Sequence, residues 1–86
     1  MLKRIYCVHD VKSEAFLEPF FAPTDAVATR SFGDCVNNPQ HPFGQHPADY
    51  TLFRIGEWND SHGAIIPEDP ISCGNGVEHI RNQEAS

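Results

Sequence analysis

Apolar and polar positions alternate along Leu2 to His9, with Ile5, Cys7 and His9 on one side and Leu2, Arg4, Tyr6 and Val8 on the other. Apolar groups on both sides suit a strand in the middle of a sheet, or one covered by a partner. A polar turn leads to a second alternating run, AFLEPFFA, over residues 15–22. It sets Phe16, Glu18 and Phe20 on one face and Leu17, Pro19 and Phe21 on the other. Pro19 has no N–H for a ladder, which moves this strand to a sheet edge or marks a bulge. The two strands read as a hairpin.

The period then lengthens to that of a helix. Val27, Ala28, Ser31, Phe32, Cys35 and Val36 fall on one stripe that would pack on the sheet. Thr24 is placed to cap it, Asp25 suits the positive end of its dipole, and Asn37-Asn38-Pro39 ends it, Asn being tolerant of a left-handed cap. A proline-stiffened link over residues 37–49 follows. Phe43 at its centre either pins the link to its own core or inserts into a neighbouring subunit. From Tyr50 to Trp58, Thr51, Phe53, Ile55 and Glu57 alternate with Tyr50, Leu52, Arg54, Gly56 and Trp58. A turn of Asn59 to Gly63 joins this strand to AIIPE in a second hairpin. The expected fold is α+β: a two-layer, four-stranded antiparallel sheet of two β-hairpins with one helix on one face, in the order β-β-α-β-β. Residues 1–70 form the domain and residues 71–86 a partly extended or mobile tail.

One helix covers one sheet face. Tyr6, Phe16, Phe20, Leu52 and Trp58 are too many large apolar groups for the other face to be wet, so a homodimer or higher homo-oligomer is expected, with Phe43 as a further interface residue. A chain of 86 residues is one small domain with a modest core, which self-association would supplement. Twelve acidic against six basic residues give a net charge of -6. That is a poor start for coating DNA, where Lys and Arg must displace counterions, so any nucleic-acid contact needs a local patch. The odd count of three cysteines, none in a CxxC pair, favours free thiols in a reducing cytoplasm. The apolar run FLEPFFA is broken by Glu18 and Pro19, so no membrane helix is expected.

His41 and His46 have the H-x4-H spacing of a zinc pair, with Cys35 upstream and His62 as an outlying candidate. Pro42 and Pro47 directly follow the two histidines, and Cys35 lies on the helix stripe, so no metal and no cofactor is expected. Cys7, His9 and Asp10 have no recognisable oxyanion hole or nucleophile turn beside them, and an enzyme is not expected. A nucleic-acid reading takes Arg54, Tyr50 and Trp58 on one strand face with Arg4 and Arg30 nearby, since arginine and aromatic groups on a sheet stack single-stranded bases. Its competitor puts the aromatic groups in a dimer core and pairs Arg54 with a carboxylate.

The ordered set PFFA at Pro19–Ala22, VATRSFGDCVNNP at Val27–Pro39 and DYTLFRIGEW at Asp49–Trp58, followed by a turn at Asp60–Gly63, resembles the small nonstructural protein of gokushovirus-type microviruses, phages with single-stranded DNA. The likeness spans residues 3–67. It implies a non-enzymatic accessory protein of the host cytoplasm, outside the virion, assisting single-stranded DNA genome synthesis or packaging. Its means would be single-stranded DNA binding or recruitment of a phage or host replication protein. The alternative is an interaction module that binds a host or phage factor without touching DNA.

Overall fold

The computed structural model describes residues 2–81. Its central strand is β1 (Leu2–Asp10), flanked on one side by the short strands β2 (Ala15–Phe16) and β3 (Phe20–Ala22) and on the other by β4 (Tyr50–Asn59), which pairs in turn with β5 (Ala64–Asn75). All pairings are antiparallel. The two expected hairpins are present, with the helix between β3 and β4, but the strands number five. Pro19 is the reason: the second strand breaks around it, leaving β2 opposite His9 and Asp10 and β3 opposite Arg4 to Tyr6.

Along β1, two one-residue slips in register decide which side chains share a face. Across the break at 17–19, β2 pairs Phe16 with His9, whereas β3 pairs Phe20 with Tyr6. Phe16 and Phe20 therefore lie on opposite faces, not on one, because an odd extra residue turns the following side chains over. The second slip is at Ile55. Arg54 pairs with Tyr6 and Gly56 with Ile5, so Ile55 is an extra residue in β4. Trp58 consequently sits opposite Lys3, on the face away from Tyr50, Leu52 and Arg54. Gly56 also lets β5 come close, since a Cβ there would stand 2.6 Å from the Ile66 carbonyl oxygen.

The helix α1 (Asp25–Val36) starts where expected, with Thr24 Oγ1 accepting from the Val27 N–H at 3.2 Å. Its buried stripe of Ala28, Phe32 and Val36 meets Tyr6, Val8, Ala22 and Leu52 on one sheet face, and these seven residues form the core. Each large apolar side chain so enclosed contributes about 1.5–3 kcal/mol. The helix does not end in a left-handed residue. Asn37 has φ -92° and ψ 6°, and closes the end with its side chain. Its Nδ2 donates to the carbonyls of Gly33 (2.7 Å) and His79 (2.9 Å), and its Oδ1 accepts from the Arg81 N–H (2.8 Å).

That clamp shows where the packed unit ends. β5 runs through Pro70 to Asn75, and Asn75 caps a 3-10 turn at Gly76–His79. The His79 ring meets Phe32 edge-on at 5.5 Å, and Arg81 pairs with Asp34 at 2.9 Å. The domain expected to end at residue 70 thus continues to Arg81, because the segment after Pro70 finishes the sheet and covers the helix C-terminus. The rest of the expected tail, residues 82–86, lies outside the described residues. The 37–49 link is ordered by a short helix α2 (Pro42–Gln45) and a 3-10 turn at Pro47–Asp49.

Candidate functional site

Arg4 and Arg54 reach inward toward one carboxylate. Asp25, in the first turn of α1, accepts hydrogen bonds from the Tyr6 hydroxyl, from Arg4 at 3.4 Å and from Arg54 at 3.0 Å, and Arg54 also donates to Glu68 at 3.1 Å. The Tyr6 hydrogen bond, aided by Arg54 and Arg4 and opposed by partial burial, holds the Asp25 carboxyl below its usual range. Burial and the same hydrogen bond push the Tyr6 hydroxyl well above a normal phenol. Two guanidiniums face two carboxylates, so the cluster is neutral and ties α1 to β1, β4 and β5. A phosphate would have to displace Asp25 or Glu68 to reach Arg54, whose side chain is only 19% exposed. Arg30 is exposed on α1 and makes no ion pair among the described residues.

The aromatic residues divide between the two sides. Tyr50 packs on Phe43 with ring centroids 4.5 Å apart, and Phe43 also meets Phe32 at 5.6 Å, so Phe43 pins the link to its own core. Burial, then the nearby Asp10 and Asp49, raise the Tyr50 hydroxyl pKa. Tyr6 and Leu52 are fully enclosed beneath α1. Neither is available to a second chain, which corrects their expected place at an interface; the helix took the face they lie on. Phe20 stacks on Tyr6 at 5.7 Å and, with Leu17, Phe32, Cys35 and Phe43, borders an apolar groove of about 660 Å³ at the edge of the helix. Tyr50, Arg54 and Trp58 do not come together as a binding surface.

The helix-free face is the larger finding. Register places Lys3, Ile5, Cys7 and His9 of β1 on it, with Phe16, Phe21, Phe53, Trp58 and Ile65 around them. Ring contacts bind it into two islands. His9 and Phe53 touch Phe16 at 4.7 and 5.6 Å, and Trp58 meets Phe21 at 6.2 Å. Between them lies a depression of about 320 Å³, floored by Cys7 and walled by Phe16, Leu17, Pro19, Ile55 and Pro70. Burial raises the Cys7 thiol pKa, leaving a neutral apolar floor. Phe16 and Phe21 remain 51% exposed and Ile65 63%. Of the residues from which a dimer was expected, Phe16 and Trp58 lie here. The strand alternation hid Phe21, Phe53 and Ile65, and the usable signals were Pro19 and the mid-strand Gly56, both marks of a bulge.

His41 caps α2, its Nδ1 accepting from the Phe43 N–H at 3.0 Å. Among the described residues no three His, Cys, Asp or Glu side chains gather where they would hold a metal ion. Within the same residues no helix is long and apolar enough to cross a membrane.

A family model described as phage ORF5 protein matches residues 3–79. No curated protein and no solved structure matches the chain.

Proposed function

The chain belongs to the phage ORF5 protein family, and on that premise we propose that it is a non-enzymatic accessory protein of a gokushovirus-type microvirus. In this reading it acts in the host cytoplasm, outside the virion, and assists single-stranded DNA genome synthesis or packaging by protein contact through its helix-free sheet face. The observation that carries the mode of action is the exposure of Phe16, Phe21 and Ile65 beside Trp58, while Arg4 and Arg54 are spent on Asp25 and Glu68. A contiguous apolar patch of this kind marks an interaction site. Phosphate binding needs free cations, and the net charge of -6 opposes it.

Two measurements test this. Fluorescence anisotropy of a labelled single-stranded oligonucleotide at low and high salt is expected to show no binding; tight binding that weakens steeply with salt would overturn the protein-contact reading in favour of direct DNA contact. Phage carrying a stop codon in this gene is expected to accumulate double-stranded replicative DNA but few single-stranded genomes. Wild-type protein supplied from a plasmid should restore them, and a Phe21→Glu variant should not. Normal single-stranded DNA and virion yield without the protein would sink the accessory role.

A further inference from the structure

We infer that the partner on the helix-free face is a second copy of this chain, the two sheets meeting face to face about a two-fold axis; this rests on the reading of that face as the working contact. Half of a phenylalanine side chain is roughly 100 Å². On that scale Phe16, Leu17, Phe21 and Ile65, at 51%, 38%, 51% and 63% exposure, leave roughly 350 Å² of apolar surface open per copy. Adding the partly exposed Phe53, Ile55 and Trp58 and the prolines of β5 brings this to roughly 600 Å², so a pair would bury roughly 1,200 Å², the lower end for a specific interface.

The routes left for self-association are few. Strand addition at a sheet edge needs a continuous row of N–H groups. One edge is broken around Pro19, and the other, β5, carries Pro67 and Pro70. Face-to-face packing needs neither edge. Its chemistry is self-complementary, as a two-fold contact requires. Of the described residues that register assigns to this face, Lys3 alone carries a permanent charge, so pairing buries no unmatched carboxylate. The depression over Cys7 gives a projecting side chain of the facing copy a seat.

Charge supplies a discriminating sign. Each copy brings a net charge of -6, with Lys3 the one permanent charge that register assigns to the contact, so salt screens the repulsion between copies and tightens the pair. A nucleic acid, or a basic partner protein, would respond in the opposite direction.

The test is sedimentation equilibrium of the full chain over a concentration series at about 50 and about 500 mM NaCl. A dimer mass is expected, with a dissociation constant lower at high salt. Phe21→Glu and Ile65→Glu should each raise that constant roughly thirtyfold or more, as losing an interface anchor does. Ile66→Glu, on the opposite face, should leave it unchanged. Circular dichroism melts of each variant establish that the fold is retained, which the exposure of these side chains favours. A monomer at all concentrations up to about 100 µM, or a dimer indifferent to Phe21→Glu and Ile65→Glu, overturns the pairing. Single-stranded oligonucleotide binding lost in Phe21→Glu overturns it too, reassigning the face to nucleic acid. If the chain is monomeric yet Phe21→Glu still fails to restore single-stranded genomes in infected cells, the pairing falls while the face remains the site of another protein contact.

Discussion

Asp25 shows how one side chain can decide what others are free to do. It stands 19 residues from Tyr6, 21 from Arg4 and 29 from Arg54, and draws all three to the N-terminus of α1. Tyr6→Phe removes the hydroxyl from an otherwise fully enclosed ring and should cost about 1 kcal/mol in urea unfolding at neutral pH. Asp25→Ala should cost more, since Arg54 then keeps only Glu68. The pKa directions give this cluster two pH limbs. Asp25 is depressed on folding, so its contribution is present above the unfolded carboxylate value near 4 and is lost as pH falls through the lower folded value. Tyr6 is raised, so its contribution is complete below about pH 10 and declines as pH rises beyond that. Stability measured against pH should therefore fall at both ends, and Asp25→Asn should flatten the acid limb.

Among the elements, β4 and β5 approach at one point too closely for any side chain. At Gly56 the backbone of β5 lies where a side chain would go, and backbone cannot rotate aside. Gly56→Ala should destabilise by about 1–3 kcal/mol, read as a lower melting temperature with faster amide exchange along β5. The end of β5 is equally structural. Truncation after Pro70 removes the strand's pairing to Thr51, Leu52 and Phe53, the His79 contact on Phe32 and the Asn37 clamp. The shortened chain should show no cooperative melt by circular dichroism. Much of this level was legible in the sequence. The Thr24 cap, the helix stripe, the interior position of β1 and the break at Pro19 all follow from local chemistry. The packing of the last segment was not, because a run with Pro70, Gly74 and Gly76 has no period, and its partners lie more than 40 residues away at Asn37 and Asp34.

At the scale of the whole molecule, the helix leaves one face of the sheet uncovered, and the large apolar side chains of Phe16, Phe21 and Ile65 stand exposed there beside Lys3. A chain of 86 residues has little core to spare, so covering this face adds appreciably to its stability. With a second copy as the cover, the melting temperature should rise with protein concentration, as mass action requires for folding linked to association. A melting temperature independent of concentration would speak against that linkage. The net charge of -6 acts at this scale as well, and the Asp25 cluster adds no cation to it, since Arg4 and Arg54 are paired with Asp25 and Glu68.

The sequence by itself determined the class of fold, the two hairpins, the capped helix and membership of a phage family, because each rests on short-range pattern or on motifs in order. Tertiary structure alone decided which aromatic residues share a surface and which arginines are free. A strand's alternation holds only while its register does, and a single extra residue at 17–19 or at Ile55 turns every later side chain over. Likewise the charge on Arg54 can be counted in the sequence, but its neutralisation depends on Asp25 arriving from another element. That is why a surface expected from Tyr50, Arg54 and Trp58 gave way to one built on Phe16, Phe21, Trp58 and Ile65.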